Sequence, residues 1–547
     1  METARNRTDL LLASLLFLGC VAIFCINLGR LPFPDELYHI LAAKGLLETG
    51  EPRIAEGFYW RGYLQTWLTA WSFRLFGESL ATARIPSVLF TAALVTASFW
   101  WLRARVGTSI ALSGAVFYAL SPFAITIAQF CRFYALQTLS FFLAAVALAE
   151  AANPERKPES RMAFLVVGSA ALGLAIHLQP VSTIGSIGVA LYCAGALLLP
   201  RLVDTTLPRA KRLAPAFLFS SALLLGLAAA AASGLLVELW SRFRHAETFS
   251  AHLANQFWYY HAWYQLLFPT LWPATGLLAL AAFARWPQPA GLALVVFATA
   301  FTLHSLAAPK SLRYIAYAHP FLIVLWALGS AAVWSNLRAG LSALVAGVAA
   351  RLELPPRTRR RLARFLVGGA IAFLVLANPA WLRSVTLLAD VPVPPERPPV
   401  DWPKAAPVLA PHLASGRFVL TTEELGTLYF LGRFDLTLNA SRYDEIARGS
   451  GPTIVRDPRT GRGVGRDLAA TRLVLACRAP GVFISLEQFW NDAPQIVTPA
   501  VKAFLLTHGR PLELPSGSGL VAFLWDERSG EAADCAELEP VAVSHES

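Results

Sequence analysis

Two adjacent carboxylates, Asp35 and Glu36, follow the first long apolar segment of this 547-residue chain. Pro32 and Pro34 keep the approach to them extended, because a proline fixes its own φ and restricts the residue before it. From Glu36 onward apolar residues recur at helical spacing, which predicts a short helix on a membrane surface with an acid at its start. Such an acid can accept a proton as a general base, or it can simply cap the helix.

The composition is typical of an integral membrane protein. Hydrophobic residues make up 56% of the chain and charged residues 15%, whereas a soluble domain carries about 25% charged residues. The net charge of +11 is explained by basic loops on one membrane face. No basic stripe interleaved with aromatic residues marks a nucleic-acid-binding module, which excludes that class. The six cysteines show no metal-binding spacing.

About eleven apolar segments are long enough to span a bilayer, which takes about 20 residues. We predict spans at 10–28, 79–101, 107–127, 132–152, 161–178, 181–200, 213–236, 264–284, 289–308, 313–334 and 364–384. A cleavable signal peptide is disfavoured, because no small-x-small site follows the first segment and many spans come after it. The shorter, aromatic segment 63–76 is predicted to lie at the membrane interface.

The basic residues predict the orientation of these spans. Arg5 and Arg7 place the amino terminus in the cytoplasm, so that Asp35 lies outside. Every predicted cytoplasmic loop then carries Arg or Lys, namely 103–105, 153–161, 201–212, 285–288 and 336–364. We therefore expect a multi-pass protein of a bacterial inner membrane with its carboxyl-terminal part outside. An additional span at 341–352 would reverse the membrane orientation of every segment after it.

Three regions are predicted: a transmembrane domain at 1–384 with a first outer loop at 29–78, a linker at 385–410, and a periplasmic α/β domain at 411–547. The proline-rich run 391–407 is expected to be extended. The tail then alternates strands and helices, which favours a compact α/β fold. The strands are predicted at 417–421, 434–438, 473–476, 482–486 and 520–525, and the helices at 423–431 and 497–508. Cys477 and Cys535 both lie on the oxidising side, where they can pair, although sequence does not fix the geometry.

The same topology brings a set of polar side chains to the outer face beside the two carboxylates. Arginines at helix ends often only reach toward lipid headgroups, and that interpretation stays open for each one alone. As a set they favour an anionic partner, because an outer face is otherwise poor in basic residues. The set comprises Arg61, Arg84, Gln129, Arg132, His177, Gln179, Arg242, Arg244, His245, His252, His261, Lys310 and Arg313.

A lipid-linked phosphate would satisfy this arrangement. Its polyprenyl tail stays in the bilayer, and its phosphate gains negative charge as it leaves the sugar. Arg and Lys stabilise that charge, and arginine can do so through two hydrogen bonds. The attacking hydroxyl needs a base on the other side of the sugar. We predict Asp35 as this base, and the candidate cations are Arg61, Arg132, Lys310 and Arg313.

Five motifs in order resemble the C superfamily of polytopic glycosyltransferases, especially bacterial dolichyl-phosphate-mannose-protein-mannosyltransferase-like and aminoarabinose-transferase-like proteins. They are PDELYHILAAKGLLETGEP, RGYL, FGESLATARIPSVLF, QFCRFYALQTL and KSLRYIAYAHPFLIVLWALG. The resemblance covers roughly 8–335, and the tail by architecture only. It implies an α-helical polytopic fold of about 11 transmembrane helices with a carboxyl-terminal soluble α/β domain.

The resemblance also implies site residues. The family's catalytic acid maps onto Asp35. The predicted substrate-binding residues are Glu36, Arg61, Arg84, Arg132, Tyr134, His177, Lys310, Arg313 and Tyr314. Aminoarabinose-type members carry an acid before the basic residue at 61, where this chain has Trp60, and Gln129 and Arg132 occupy a stretch that often holds a second acid. No metal ligand or cofactor is therefore assigned, and a divalent metal is left open.

The sequence thus predicts a glycosyltransferase that moves a sugar from a polyprenyl-phosphate donor to a lipid, glycan or protein acceptor at the outer face. One alternative is a polytopic lipid or sugar transporter without transfer chemistry. We find no internal repeat, and the charged residues cluster at helix ends rather than at the bilayer midplane, which disfavours it. A non-catalytic scaffold for envelope assembly is a further alternative.

Overall fold

A computed structural model describes residues 2–198, 255–351, 355–392, 399–447, 451–530 and 533–541, with the isolated positions 232, 234 and 237. The predicted loop 201–212, nearly all of the predicted span 213–236, and Arg242, Arg244, His245 and His252 lie outside the described residues. The chain divides into two compact units. Unit 1 comprises 1–28 with 87–391, and unit 2 comprises 29–86 with 392–547.

Unit 1 is built from helices. They are α1 (Glu2–Phe24), α4 (Leu80–Val106, which starts in unit 2), α5 (Thr108–Ala119), α6 (Pro122–Ala128), α7 (Tyr134–Ala152), α8 (Pro158–Leu178), α9 (Ser182–Leu198), α10 (Tyr259–Leu267), α11 (Leu271–Arg285), α12 (Pro287–Leu306), α13 (His319–Arg351), α14 (Pro356–Leu376) and α15 (Pro379–Leu388). Within the described residues five helices are long and apolar enough to cross a membrane, or up to eight if each of three bent pairs is one span. The predicted helical polytopic architecture is confirmed.

Contacts within unit 1 show which helix ends share a side. Arg103 at the end of α4 pairs with Asp9 near the start of α1, and Arg105 pairs with Glu150 at the end of α7. These are the ends that the positive-inside pattern assigns to the cytoplasm. On the opposite ends, the Gln129 side chain donates to the carbonyl of Phe24 at 3.1 Å.

The region that could have carried an extra span is part of one long helix. Helix α13 continues from His319 through Arg351, and α14 follows after a short break. The Asn27 amide donates to the carbonyl of Leu388 at 2.7 Å. The end of α1 and the end of α15 therefore lie on the same side of unit 1, as the topology without an extra span requires.

Unit 2 begins with the first outer loop. It contains α2 (Pro34–Thr49), the hairpin strands β1 (Arg53–Ile54) and β2 (Gly57–Phe58), and α3 (Tyr63–Phe76). Proline stands in the first turn of α2, where its missing N–H costs nothing, and Gly50 ends the helix at φ +80°.

Helix α3 turns its polar face inward and its aromatic face outward. Gln65 and Thr66 are fully buried, whereas Trp67 and Trp71 are 41% and 44% exposed. A helix on the surface of a soluble protein has the reverse arrangement. An outward stripe of tryptophan suits the headgroup region of a bilayer, which supports the predicted interfacial position of this segment.

The rest of unit 2 is an α/β domain. Its elements are α16 (Trp402–Ala414), β3 (Phe418–Thr421), α17 (Glu424–Leu431), β4 (Leu436–Leu438), α18 (Ala440–Ala447), β5 (Ile454–Arg456), β6 (Gly463–Gly465), α19 (Leu468–Cys477), β7 (Gly481–Leu486), α20 (Glu487–Asp492), α21 (Pro499–His508), β8 (Arg510–Leu512) and β9 (Leu520–Trp525). The seven strands form one sheet in the order β5-β6-β4-β3-β7-β9-β8. The four strands β6, β4, β3 and β7 are parallel, and the other three strands are antiparallel to a neighbour.

Helices cover both faces of this sheet. Val419 and Ile484 pack with Trp402 of α16 on one face. Leu420 and Phe483 pack on the other face, in a core that also holds residues of α19 and α21. Alternate residues of each strand therefore enter different cores, which is the pattern of a parallel sheet buried on both sides. The predicted soluble α/β domain is confirmed.

Two local predictions were wrong. The segment 473–476 is part of the helix α19 rather than a strand, because its apolar run is short enough to fit either structure and the pattern alone does not choose. The run 391–407 is not extended throughout, because α16 begins at Trp402. Asp401 caps that helix by accepting the N–H of Lys404 at 3.1 Å, and prolines are tolerated in a first helical turn.

Cys477 and Cys535 form a disulfide that ties the end of α19 to the final described segment. The bond closes a loop across a sequence separation of 58 residues. We expect the Cys477→Ser/Cys535→Ser double variant to lose about 2–4 kcal/mol of unfolding free energy, because the unfolded chain gains freedom. Denaturant unfolding with and without reductant measures this loss. Equal midpoints for wild type in the two conditions would contradict it.

Candidate active site

The start of α2 is fixed by a fully buried ion pair. Arg84 is 0% exposed and Glu36 is 2% exposed. Arg84 Nε donates to Glu36 Oε1 and Arg84 Nη2 donates to Glu36 Oε2, both at 2.8 Å. Both charges are thereby compensated by a two-point contact, which the interior requires of buried ions.

The same arginine also holds the chain that leads into the helix. Arg84 Nη1 donates to the carbonyl of Arg30 at 2.8 Å, and Nη2 contacts the carbonyl of Leu31 at 3.4 Å. The N–H of Phe33 donates to Glu36 Oε2 at 2.9 Å. The backbone on both sides of Asp35 is thus fixed, and Asp35 itself is only partly buried in the first turn of α2. A carboxylate is favoured there by the helix dipole.

Aromatic and polar side chains extend this surface along α2. Tyr38, one turn after Asp35, stacks on Tyr59 with ring centroids 4.8 Å apart. His39 is fully buried, contacts the edge of Tyr59, and its Nδ1 lies 2.9 Å from Thr66 Oγ1. The face of α2 that carries Asp35 is therefore packed against the hairpin and α3.

A turn of the α/β domain, residues 457–462, docks on the β1–β2 hairpin. The N–H of Glu56 donates to Thr460 O and the N–H of Phe58 donates to Pro458 O, both at 3.0 Å. A Cβ added at Gly57 would lie 2.4 Å from Gly461 N, so only glycine permits this approach. The first outer loop and the α/β domain are consequently one structural body.

Salt bridges complete the attachment. Arg462 makes a two-point contact with Glu56, at 2.8 and 3.0 Å. Arg459 donates to the hydroxyl of Tyr38 and to both carboxylate oxygens of Asp457. Hydrogen bonds from Arg442 and Arg459 hold the pKa of the Asp457 carboxyl well below its usual range, despite its burial.

Two further acids face α2 from the carboxyl end of β3. Glu423 and Glu424 are only 7% and 8% exposed. Glu423 Oε1 accepts the N–H of Gly426 at 3.4 Å, and Glu424 lies 3.6 Å from Arg459. Burial, with the neighbouring charges of Glu424 and Asp35, raises the pKa of Glu423 to about 8. Asp35 is thus within electrostatic reach of an acid from the α/β domain.

Glu423 should make the stability of the protein depend on pH. Between pH 4.5, its ordinary pKa, and about 8, the folded chain holds a proton on Glu423 that the unfolded chain releases. Stability from this group is therefore greatest at low pH and declines as pH rises through that window. We expect the Tm of wild type, relative to that of Glu423→Gln, to fall steadily between about pH 5 and 8. Glu48→Gln, which removes an exposed carboxyl of α2, is the control, and a constant Tm difference would contradict the raised pKa.

The other predicted site residues are distributed between the units. Arg61 is exposed and lies in unit 2 just before α3. The remainder belong to unit 1, where Arg132 and Tyr134 are buried, Arg313 and Tyr314 are partly buried and His177 is exposed. Their roles in substrate binding stay predictions.

Lys310 in unit 1 is largely buried and caps a helix. Its ammonium donates to the carbonyls of His304 at 3.0 Å and Ser305 at 2.7 Å, and to that of Ala307. These carbonyls lie at the end of α12, where a cation offsets the helix dipole. This contact gives Lys310 a structural role beside the predicted one.

The part of the chain that the structure describes contains no cluster of three or more His, Cys, Asp or Glu side chains able to hold a metal ion. The buried acids Glu424 and Asp457 are instead engaged by arginines. The described residues therefore assign no ligand set to a divalent metal.

Sequence reasoning missed Arg459, Asp457 and Glu423. The available signal was the glycine-containing run DPRTGR at 457–462, which is a turn pattern with two arginines. Nothing in that pattern indicates a contact with a tyrosine more than 400 positions earlier.

No protein-family model and no curated protein matches the chain. Several solved structures do match the chain. ArnT from Cupriavidus metallidurans, bound to undecaprenyl phosphate, superposes with a TM-score of 0.59 at 14% identity, over 96% of this chain and 98% of that one. The archaeal oligosaccharyltransferase AglB from Archaeoglobus fulgidus, in complex with an inhibitory peptide and a dolichol-phosphate, superposes with a TM-score of 0.53 at 13% identity. The match covers 96% of this chain and 75% of that one. Both are C-superfamily polytopic glycosyltransferases.

The chain shares the fold of these two structures. The resemblance inferred from the five motifs is confirmed at the level of fold. It extends over both units, since 96% of the chain is covered. One AglB structure was solved in complex with Zn and sulfate.

Proposed function

We propose that this protein is a membrane glycosyltransferase that takes a sugar from a polyprenyl-phosphate donor. The proposal is supported by the fold that the chain shares with ArnT, which was solved bound to undecaprenyl phosphate, and with AglB, solved with a dolichol-phosphate. The long apolar helices are able to cross a bilayer, which is where such a donor resides. We assign the protein to a bacterial inner membrane, with the α/β domain on the periplasmic side.

The observation that carries the proposal is the presentation of Asp35. The buried Glu36–Arg84 pair fixes the backbone before and after it, while its own side chain stays partly accessible. A general base must be held in place yet open to substrate, and this geometry meets both needs. A carboxylate that served only as a helix cap would not need a buried arginine to hold its flanks.

The reaction is a single displacement with inversion. The acceptor hydroxyl oxygen forms a bond to the anomeric carbon as the bond from that carbon to the phosphate oxygen breaks. The hydroxyl proton passes to Asp35, and the phosphate leaves with the bonding electron pair. Cations near the leaving group stabilise its growing charge, and Arg61, which lies in the same unit as Asp35, is the candidate. The acceptor is a lipid, a glycan or a protein hydroxyl.

Reconstituted proteoliposomes test the proposal against transport. Purified protein is supplied with polyprenyl-phosphate donors that carry a labelled hexose or pentose, together with a membrane lipid extract as acceptor. We expect labelled sugar in a covalent product, with release of an equal amount of polyprenyl phosphate. Movement of intact labelled lipid across the bilayer without any covalent product would overturn the proposal.

A further inference from the structure

We propose that Arg459 of the α/β domain is a positioning residue for Asp35, which makes this domain a working part of the catalytic centre. The inference rests on the proposed function. It goes beyond that function because the proposed transfer reaction uses no residue of the α/β domain.

The contact that carries the inference lies on the Asp35 face of α2. Arg459 Nη1 donates to the hydroxyl of Tyr38, and the guanidinium carbon lies 5.0 Å from the Tyr38 ring centroid. Tyr38 follows Asp35 by three residues, so both side chains project from the same face of the helix. Tyr59 stacks on the Tyr38 ring. Tyr38 is thereby held at its hydroxyl and at its ring.

Arg459 is itself held rigidly. Its Nε and Nη2 donate to the Asp457 carboxylate at distances from 2.8 to 3.2 Å. Arg442 donates two hydrogen bonds to the same carboxylate, at 2.9 and 2.6 Å. Glu424 lies 3.6 Å from Arg459 Nη2. Two arginines and two acids thus compensate one another, and the network anchors Arg459 to the sheet.

The contacts of Arg459 favour positioning over substrate binding. Each nitrogen of its guanidinium contacts Asp457, Tyr38 or Glu424. Its charge is therefore compensated within unit 2 by Asp457 and Glu424. We assign its effect on the reaction to Tyr38 and the orientation of α2.

A positioning role predicts a specific kinetic pattern. Arg459→Ala frees Tyr38, and a misplacement of about 1 Å at a reacting group can cost about 10²-fold in rate. We expect kcat to fall about 10- to 100-fold, with the KM for the donor unchanged within about threefold. Arg459→Lys should recover part of the loss, because lysine keeps the charge and loses the planar two-point contact.

Tyr38→Phe tests whether the effect runs through the tyrosine hydroxyl. It should lower kcat less than Arg459→Ala does, and the double variant should be no slower than Arg459→Ala alone. Such non-additivity is expected of residues that act as one unit. The control is Arg466→Ala, which removes an exposed salt bridge to Asp444 in the same domain.

Hydrogen exchange gives a readout that does not depend on turnover. Arg459→Ala should accelerate amide exchange in α2 at least about tenfold, whereas Arg466→Ala should not. Unchanged exchange in α2 with kcat within twofold of wild type would overturn the inference, as would an additive double variant. If wild type shows no transfer at all, the proposed function fails, and the exchange measurement alone then decides whether Arg459 positions α2.

Discussion

Replacing Asp35 with asparagine is expected to lower kcat for sugar transfer about 10²- to 10⁴-fold, which is the usual contribution of a general base. Asparagine keeps the shape of the side chain and its hydrogen-bonding capacity but cannot accept the proton of the acceptor hydroxyl. The KM for the donor should change little, because the interaction that is lost is made in the transition state. Initial rates with purified protein in proteoliposomes measure both quantities.

Glu48→Gln is the matched control for this prediction. It makes the same carboxyl-to-amide change on the same helix, at an exposed position near the other end of α2. Its kcat should stay within twofold of wild type. Asp35→Asn that retains a third or more of wild-type kcat would show that the base lies elsewhere.

Breaking the buried Glu36–Arg84 pair is expected to have the second large effect. Arg84→Met leaves a carboxylate with 2% exposure without its cation, and loss of one partner of a buried pair costs about 3–5 kcal/mol. Arg84 also holds the carbonyls of Arg30 and Leu31, so the start of α2 should loosen and transfer should be lost. Denaturant unfolding in detergent measures the first effect, and the transfer assay measures the second.

A second ion pair, which also joins α2 to the region at the start of α4, provides the comparison for the Arg84 variant. Lys44 of α2 lies 3.4 Å from Glu78, just before α4, and the two side chains are 45% and 42% exposed. Lys44→Met should cost at most about 1 kcal/mol, since water and salt screen an exposed pair. The double variant Glu36→Gln/Arg84→Met should regain part of the lost stability. Equal, small losses for Arg84→Met and Lys44→Met would contradict the importance of the buried pair.

Much of unit 1 could be predicted because each membrane helix is encoded by one continuous stretch of apolar sequence. Apolar length locates each span, and basic residues at the ends set its direction. The contact of Arg103 with Asp9 agrees with that parity. The helix breaks near 120, between α5 and α6, and near 268, between α10 and α11, could not be predicted. An apolar run of span length has the same sequence pattern whether the helix is straight or bent.

The site was predictable only where one segment carries it. Asp35 stands out because it follows a span and opens a helix. Glu36 and Arg84 were predicted to bind substrate, and the structure pairs them with each other, 48 positions apart. A single sequence does not show which of two partners a charged residue will choose. Arg459 and Tyr38 are separated by 421 positions, and no local pattern records a contact of that range.

The most direct test of the central claim is an experimental structure with a non-hydrolysable polyprenyl-phosphate sugar analogue and an acceptor bound. We expect an Asp35 carboxylate oxygen at about 2.6–3.2 Å from the acceptor hydroxyl, or joined to it by one water. The anomeric carbon should lie between that hydroxyl and the phosphate oxygen. A sugar bound with its anomeric carbon out of reach of Asp35 would contradict the claim that Asp35 is the base of the transfer.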